Sequence, residues 1–253
     1  MRDALIHLLQ TPEESAFDIT LFSVWHILYV VLILGAVLFL SLFFARKAES
    51  TKRRLVNVLA ILPICIYVLD FFAMPLAYGE IDVDKLPFHF CTLLSVLILG
   101  VQFGDGKHAT FWRESVTVLS IVTPLMYLCY PGSALGGISP FCYRVIQTFI
   151  YHGVVFAYGV VSLAMGRTTF HFKKIWKAAL LIALILCWSA FGNAAYSSPE
   201  HTYDWGFIAG GTFPFVPKPL MPIVVLACVF GMCATIYGIY YGIRHLVTKK
   251  QNA

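Results

Sequence analysis

The chain has 253 residues, 59% hydrophobic and only 12% charged, with a formal net charge of +5 and a mean hydropathy of +0.80. Such a chain cannot cover a soluble surface and belongs in lipid. Its basic excess lies in loops at span ends, where it acts as an insertion signal, so nucleic acid is excluded as a partner.

The apolar residues come in runs of about 20, the length a helix needs to cross a hydrocarbon core of roughly 30 Å, and longer than the alternating strands of an outer-membrane barrel. The first 19 residues are acidic and polar with no leading basic region. They are expected to form no signal peptide, the first span serving as its own signal, and they can lie as a short interfacial helix. The runs then predict spans over about 20–45, 55–78, 86–104, 115–130, 140–166, 178–198 and 219–243. Between the fourth and fifth, Pro131, Gly132, Gly136 and Gly137 predict a turn or re-entrant loop. The longest loop, 199–218, carries Gly206, Gly210, Gly211, Pro214 and Pro217 among aromatics and is expected to fold back on the bundle. The fold class is therefore all-α, a polytopic membrane protein of seven transmembrane helices forming a single integral membrane domain over 1–253.

Orientation follows from the basic residues, which are retained on the cytoplasmic side. Fourteen of them (Arg46, Lys47, Lys52, Arg53, Arg54, Lys107, Arg113, Arg167, Lys173, Lys174, Lys177, Arg244, Lys249 and Lys250) fall on one set of faces, and three (Arg2, Lys85 and Lys218) on the other. That split puts the N-terminus outside and the C-terminus in the cytoplasm, and it requires an odd number of spans. All seven cysteines lie in or at the ends of spans, with no CxxC or Cys/His spacing for a metal. Neither a metal nor a cofactor is expected. Cys129 and Cys142 can approach one another outside.

Polar side chains within spans are costly and face the bundle interior or a water-filled cavity, so they carry the functional information. His26, Asp70, His89, Cys91, Arg144, Gln147, His152, Ser189, Asn193 and Tyr196 all fall in the outer halves of their spans. This asymmetry predicts a cavity opening outward. At roughly 100° per residue, Arg144, Gln147, Thr148, Tyr151 and His152 share an arc of about 140°, while Ser189, Asn193 and Tyr196 fall within about 60°. A lone His or Cys in a helix is more often packing than chemistry, and Cys65, Cys187, Cys228 and Cys233 read as small apolar fillers. Asp70 and Arg144 read equally well as an ion pair between spans 2 and 5. Trp25 and Trp205 read as part of the interfacial aromatic belt.

The segment Leu86-Pro87-Phe88-His89-Phe90-Cys91 at the start of a span, with Gln147 and His152-Gly153 two spans later, resembles the YwaF-like family of bacterial integral membrane proteins. More distantly it resembles the eukaryotic transmembrane protein 164 group. The first likeness implies a seven-span protein of the bacterial plasma membrane with no assigned activity. The second implies cysteine-dependent acyl transfer on phospholipids. His89 matches the histidine of the Pro-Cys-His segment in those relatives, His152 their later histidine, and Asn193 an asparagine. Their cysteine falls where this chain has Phe88, so the nucleophile does not carry over directly. Cys91, three residues on and about 60° round the helix, is the candidate replacement.

Two functions follow. In the first, a membrane acyltransferase or lipid hydrolase uses Cys91 as nucleophile, His152 or His89 as general base and Arg144 to hold a lipid phosphate, which requires span 3 to approach span 5. In the alternative, a transporter, receptor or accessory subunit holds a small polar or amphiphilic ligand with His26, Asp70, Arg144, Gln147 and Asn193. The partners expected are membrane lipids and a small-molecule or lipid substrate; the oligomeric state is open.

Overall fold

The computed structural model describes residues 19–79, 83–132, 139–209 and 215–251. The expected N-terminal interfacial helix, the turn at Gly136 and Gly137, and the middle of the 199–218 loop lie outside them. Among the described residues there are seven α-helices and no strand: α1 (Val24–Ala45), α2 (Glu49–Tyr78), α3 (Phe90–Phe103), α4 (Lys107–Cys129), α5 (Tyr143–Ala164), α6 (Trp176–Tyr196) and α7 (Met221–Gln251). Single 3-10 turns stand at Val83–Lys85, Phe172–Lys174, Trp205–Phe207 and Lys218–Leu220. Each predicted span overlaps one helix. Five helical stretches are long and apolar enough to cross a membrane: Val24–Ala45, Glu49–Ala73, Tyr143–Ala164, Phe172–Tyr196 and Lys218–Lys249.

The other two helices differ from expectation for physical reasons. α3 has only 14 residues, about 21 Å of helix, because Pro87 disfavours helix in the residue before it and the carbonyls of Pro87 and Phe88 accept side-chain hydrogen bonds instead. α4 starts at Lys107, eight residues before the expected span, and carries Arg113 and Glu114 inside it. Those charges are satisfied locally: Arg113 donates to the Val101 carbonyl at 3.0 Å, and Glu114 accepts from His171 and Lys174. A hydropathy reading counts them only as breaks.

The chain divides into two compact units. The first comprises the chain up to Leu86 together with Thr123–Arg167, and so holds α1, α2, the end of α4 and α5. Here α1 and α2 both pack on α5, burying Val145, Tyr151, His152, Val155 and Phe156 along it. Packing from two sides overrides the amphipathic reading of this helix. Phe149 and Phe156, outside the expected polar arc, are buried, while Arg144 is exposed. Close approach is possible because Gly153 lacks a side chain: a Cβ there would lie 3.1 Å from Ile33. A cluster of Ile19, Leu128, Cys142, Val145 and Phe149 forms the core under Trp25, Tyr29, Val30 and Ile33. α1 buries only His26 and Val37; its exposed Val31, Leu38, Phe39 and Leu42 form the apolar face that lipid covers. At the end that carries the basic loops, Arg167 donates to the Glu49 carboxylate at 2.8 Å and to the Glu49 carbonyl at 2.9 Å.

The second unit comprises Pro87–Val122 and the chain from Thr168 onward, hence α3, most of α4, α6 and α7. α6 and α7 pack together, and the Phe172–Lys174 and Trp205–Phe207 turns pack on α6. Phe170 stacks on Tyr237 with ring centroids 4.5 Å apart, and its carbonyl accepts from the Tyr241 hydroxyl at 3.0 Å. Glu114, Ser115, Thr117 and Ser120 on α4 are also buried, polar groups that the sequence did not single out. Thr117 and Ser120 donate to carbonyls one turn back, those of Arg113 and Val116, so these hydroxyls are satisfied without an aqueous cavity.

Candidate functional site

The Leu86–Cys91 segment enters α3 along a path fixed by α6. Pro87 and Phe88 form the turn ahead of α3, before its first residue Phe90, so their carbonyls are open to side-chain donors. The Trp188 ring N–H donates to the Pro87 carbonyl at 2.8 Å, and the Ser189 hydroxyl donates to the Phe88 carbonyl at 2.6 Å. The Phe88 ring lies against Gly192, where a Cβ would come within 2.4 Å of it. Around that ring stand Trp188, Tyr196 and Trp205, with centroids at 5.2, 5.6 and 4.9 Å. Phe88 is 5% exposed.

Asn193 completes the clamp from one turn further along α6. Its amide NH2 donates to the Trp205 carbonyl at 3.1 Å and its carbonyl oxygen accepts the Trp205 N–H at 2.8 Å. One side chain thereby satisfies both backbone groups of a loop residue. Gly206 follows at φ +77°, and a Cβ there would stand 2.8 Å from Ser189; both the left-handed backbone and the space require glycine. The start of the 199–218 loop therefore folds back on α6. Trp205, expected in the interfacial belt, is instead 1% exposed; its Nε1 is buried.

Within this frame His89 is the N-cap of α3, with no side-chain cap hydrogen bond and its ring edge-on to Trp205 at 6.4 Å. Cys91 follows in the first turn as a half-buried thiol outside any disulfide. Asn193, His89 and Cys91 thus belong to one unit, the second.

The remaining candidates belong to the first unit. His152 is buried; its Nδ1–H donates to the Thr148 carbonyl at 2.7 Å, and its ring stacks on Tyr127 with centroids 3.7 Å apart and planes 6° from parallel. Thr148 in turn donates to the Tyr127 hydroxyl at 3.3 Å. The Nδ1 hydrogen bond fixes the tautomer that leaves Nε2 as the basic nitrogen. His26 differs: its Nδ1 accepts the Phe22 N–H at 3.0 Å and its Nε2–H donates to the Leu128 carbonyl at 2.8 Å. Both nitrogens brace backbone around a neutral ring. Gln147 is half-buried.

Asp70 takes a partner other than the one expected. Its carboxylate pairs with Lys85 at 2.5 Å and accepts a hydrogen bond from Tyr143, while Tyr67 donates to the Lys85 carbonyl at 2.6 Å. Asp70 is 5% exposed and Arg144 is exposed. Tyr143 at the start of α5 turns toward Asp70 while Arg144, one position on, is exposed, so Lys85 takes the carboxylate and the Asp70–Arg144 ion pair gives way. Cys129 and Cys142, which the sequence allows to approach one another, are both free thiols.

Sequence reasoning did not single out Gly192, Trp188, Lys85 or Tyr127. A tryptophan one position before Ser189 and a glycine one position before Asn193 are the signal for the first two. Nothing local marks Lys85 and Tyr127, whose roles depend on which helices meet.

Among the described residues, no group of three or more His, Cys, Asp or Glu side chains could hold a metal ion. No curated protein and no solved structure matches the chain. Residues 21–240, from just before α1 to well inside α7, match the model of the TMEM164 family. The match thus takes in the turn that enters α3, the Gly192 contact and the Asn193 clamp together, and on that breadth the chain belongs to the TMEM164 family.

Proposed function

We propose that this multi-pass membrane protein acts on membrane lipid at the start of α3, as an acyltransferase or hydrolase with Cys91 as nucleophile. The observation that carries the reading is the placement of Cys91: a half-buried thiol in the first turn of a helix whose entry is held by Trp188 and Ser189. Helix N-termini stabilise anions, and the thiolate is the reactive form of cysteine. Cys91 Sγ attacks the ester carbonyl carbon, a C–S bond forms, and the leaving alkoxide takes a proton from the imidazolium that received the thiol proton. Attack by an alcohol or water on the thioester then returns Cys91 to its thiol. His89, in the same unit as Cys91, is the candidate base. The chemistry needs no metal or cofactor.

The topology proposed with it is a single domain of seven spans, N-terminus outside and C-terminus in the cytoplasm, with the polar site facing outward. The fourteen-to-three split of basic residues supports it. A reporter fused after Ala253 that fluoresces only in the cytoplasm tests the C-terminus. Within the family, the likeness of the Leu86–Cys91 segment supports a reading of the chain as a YwaF-like member of the bacterial plasma membrane.

A second reading is supported by Phe88. The family resemblance puts the nucleophile of the eukaryotic relatives at this position, and here a phenylalanine ring packed against Gly192 fills it. A member that lost covalent chemistry would bind a small polar or amphiphilic ligand as a transporter, receptor or accessory subunit, with His26, Asp70, Arg144, Gln147 and His152 of the first unit as the polar groups. Intact mass of purified wild type and Cys91→Ala after incubation with phospholipid separates the two. An acyl adduct on wild type alone supports the first reading. No adduct on either, with co-purifying lipid lost in His152→Ala, supports the second.

A further inference from the structure

The second unit carries an open cavity of about 420 Å3 at the opposite end of α6 from the Asn193 clamp, lined by Gly106, Lys107, Thr110, Phe111, Lys174 and Lys177. Three of its six lining residues are lysines, in a chain with only 12% charged residues. Their charge is incompletely compensated. Lys174 pairs with Glu114 at 2.9 Å, and Glu114 also accepts from the His171 ring and backbone N–H, each at 3.0 Å. The ion pairs among the described residues leave out Lys107 and Lys177. Lys177 lies 3.7 Å over the Phe111 ring, an interaction that orders the ammonium without neutralising it. The cavity also lies at the N-terminal end of α4, whose first residue is Lys107, and that end of a helix favours negative charge.

The walls say what kind of anion fits. Phe111 is in edge contact with Trp112 and Trp176, at 4.7 and 6.0 Å, and Trp176 is 53% exposed. From Trp176 an exposed apolar stripe continues along α6 through Leu180 and Leu184, at 39% and 51% exposure. Positions four apart share a helix face, so this stripe runs about 12 Å from the lysines along the bundle. Basic groups, then a tryptophan, then an aliphatic track is the order of polarity in a phospholipid: phosphate, ester zone, acyl chain.

We propose that this cavity binds the phosphate of an anionic membrane phospholipid, whose acyl chain lies along Trp176, Leu180 and Leu184. Lys107 and Lys177 hold the phosphate oxygens, with Lys174 shared between the lipid and Glu114. A free phosphate ion would meet the same lysines but has no use for the apolar stripe. The site does not involve Cys91, so it stands or falls separately from the acyl-transfer reading.

The test is native mass spectrometry of the purified full-length protein in detergent, titrated with dioleoyl phosphatidylglycerol, dioleoyl phosphatidylcholine or inorganic phosphate. Phosphatidylglycerol is expected to bind in preference to phosphatidylcholine. In Lys107→Ala/Lys177→Ala the phosphatidylglycerol affinity is expected to fall about 25-fold, at about fivefold per basic residue, and to return in Lys107→Arg/Lys177→Arg. Thr110→Glu, a change at an exposed helical position, is expected to weaken phosphatidylglycerol binding by a similar factor and covers the case in which the double alanine variant fails to fold. Equal phosphatidylglycerol binding in wild type and Thr110→Glu overturns the proposal. So does phosphatidylglycerol binding no better than phosphatidylcholine, or inorganic phosphate binding at these lysines with no lipid adduct.

Discussion

α6 ends in two different ways. At its N-terminal end Lys174 and Lys177 border an open cavity, with Lys174 tied to Glu114 and Lys177 over Phe111. At its C-terminal end Ser189, Gly192 and Asn193 grip two segments, the turn that enters α3 and the turn at Trp205. The first end uses long side chains on mobile stems, which can rearrange around a ligand; the second uses short side chains, a missing side chain and backbone carbonyls, which leave one arrangement. Rigidity is concentrated where the entry to the Cys91 helix must be held, and adaptability where charge is left over.

If that contrast is correct, the closed end should respond to substitution mainly in stability and the open end mainly in binding. The largest effect is expected from Phe88→Ala, which removes a buried ring from its box and should cost about 3–5 kcal/mol, read as a lower thermal unfolding midpoint in detergent. Gly192→Ala should cost about 1–3 kcal/mol, because its methyl group would overlap the Phe88 ring. Its cost should shrink when Phe88 is already alanine, and a strictly additive double mutant would break the assignment of Gly192 to this contact.

Ser189→Ala should cost about 1 kcal/mol by leaving the Phe88 carbonyl without its hydroxyl donor. At the open end Glu114→Gln should act in the other direction on binding: with Lys174 released, phosphatidylglycerol affinity should rise about fivefold. An unchanged affinity would mean that Lys174 is already fully engaged by lipid.

The smallest effect concerns the exposed turn beyond α6. Hydrogen bonds from the Ser198 hydroxyl first, and from its own backbone N–H, hold the Glu200 carboxyl below the ordinary glutamate range. A depressed folded-state pKa adds stability that is present above the unfolded value of about 4.3. That stability is lost as pH falls through the lower folded-state value. Amide exchange over 197–203 should therefore quicken as pH drops below about 4, once corrected for its intrinsic pH dependence. Glu200→Gln should flatten that response.

The helices were largely legible because a run of about 20 apolar residues has few alternatives in lipid. Where the reading slipped, a charge or a proline was responsible. α4 extends back to Lys107 because Glu114 finds hydrogen-bond donors in His171 and Lys174, 57 and 60 residues away, and α3 is short because Pro87 and neighbouring carbonyls are committed to α6. Site residues were legible as types and positions but not as partnerships. His26 and His152 look alike in the sequence, yet one braces backbone through both nitrogens and the other lies flat on Tyr127. Asp70 shows the same limit, since its partner is Lys85.

The sequence by itself determined that the chain lives in a membrane, where the helices of the described residues fall and where its basic residues concentrate, because hydropathy and charge act through local composition. Only the tertiary structure decided that Phe88 is sealed against Gly192, that Asn193 serves the Trp205 backbone and that three lysines share one cavity. Those outcomes depend on which distant side chains share a few ångströms of space, and distance through space is not written in the order of residues.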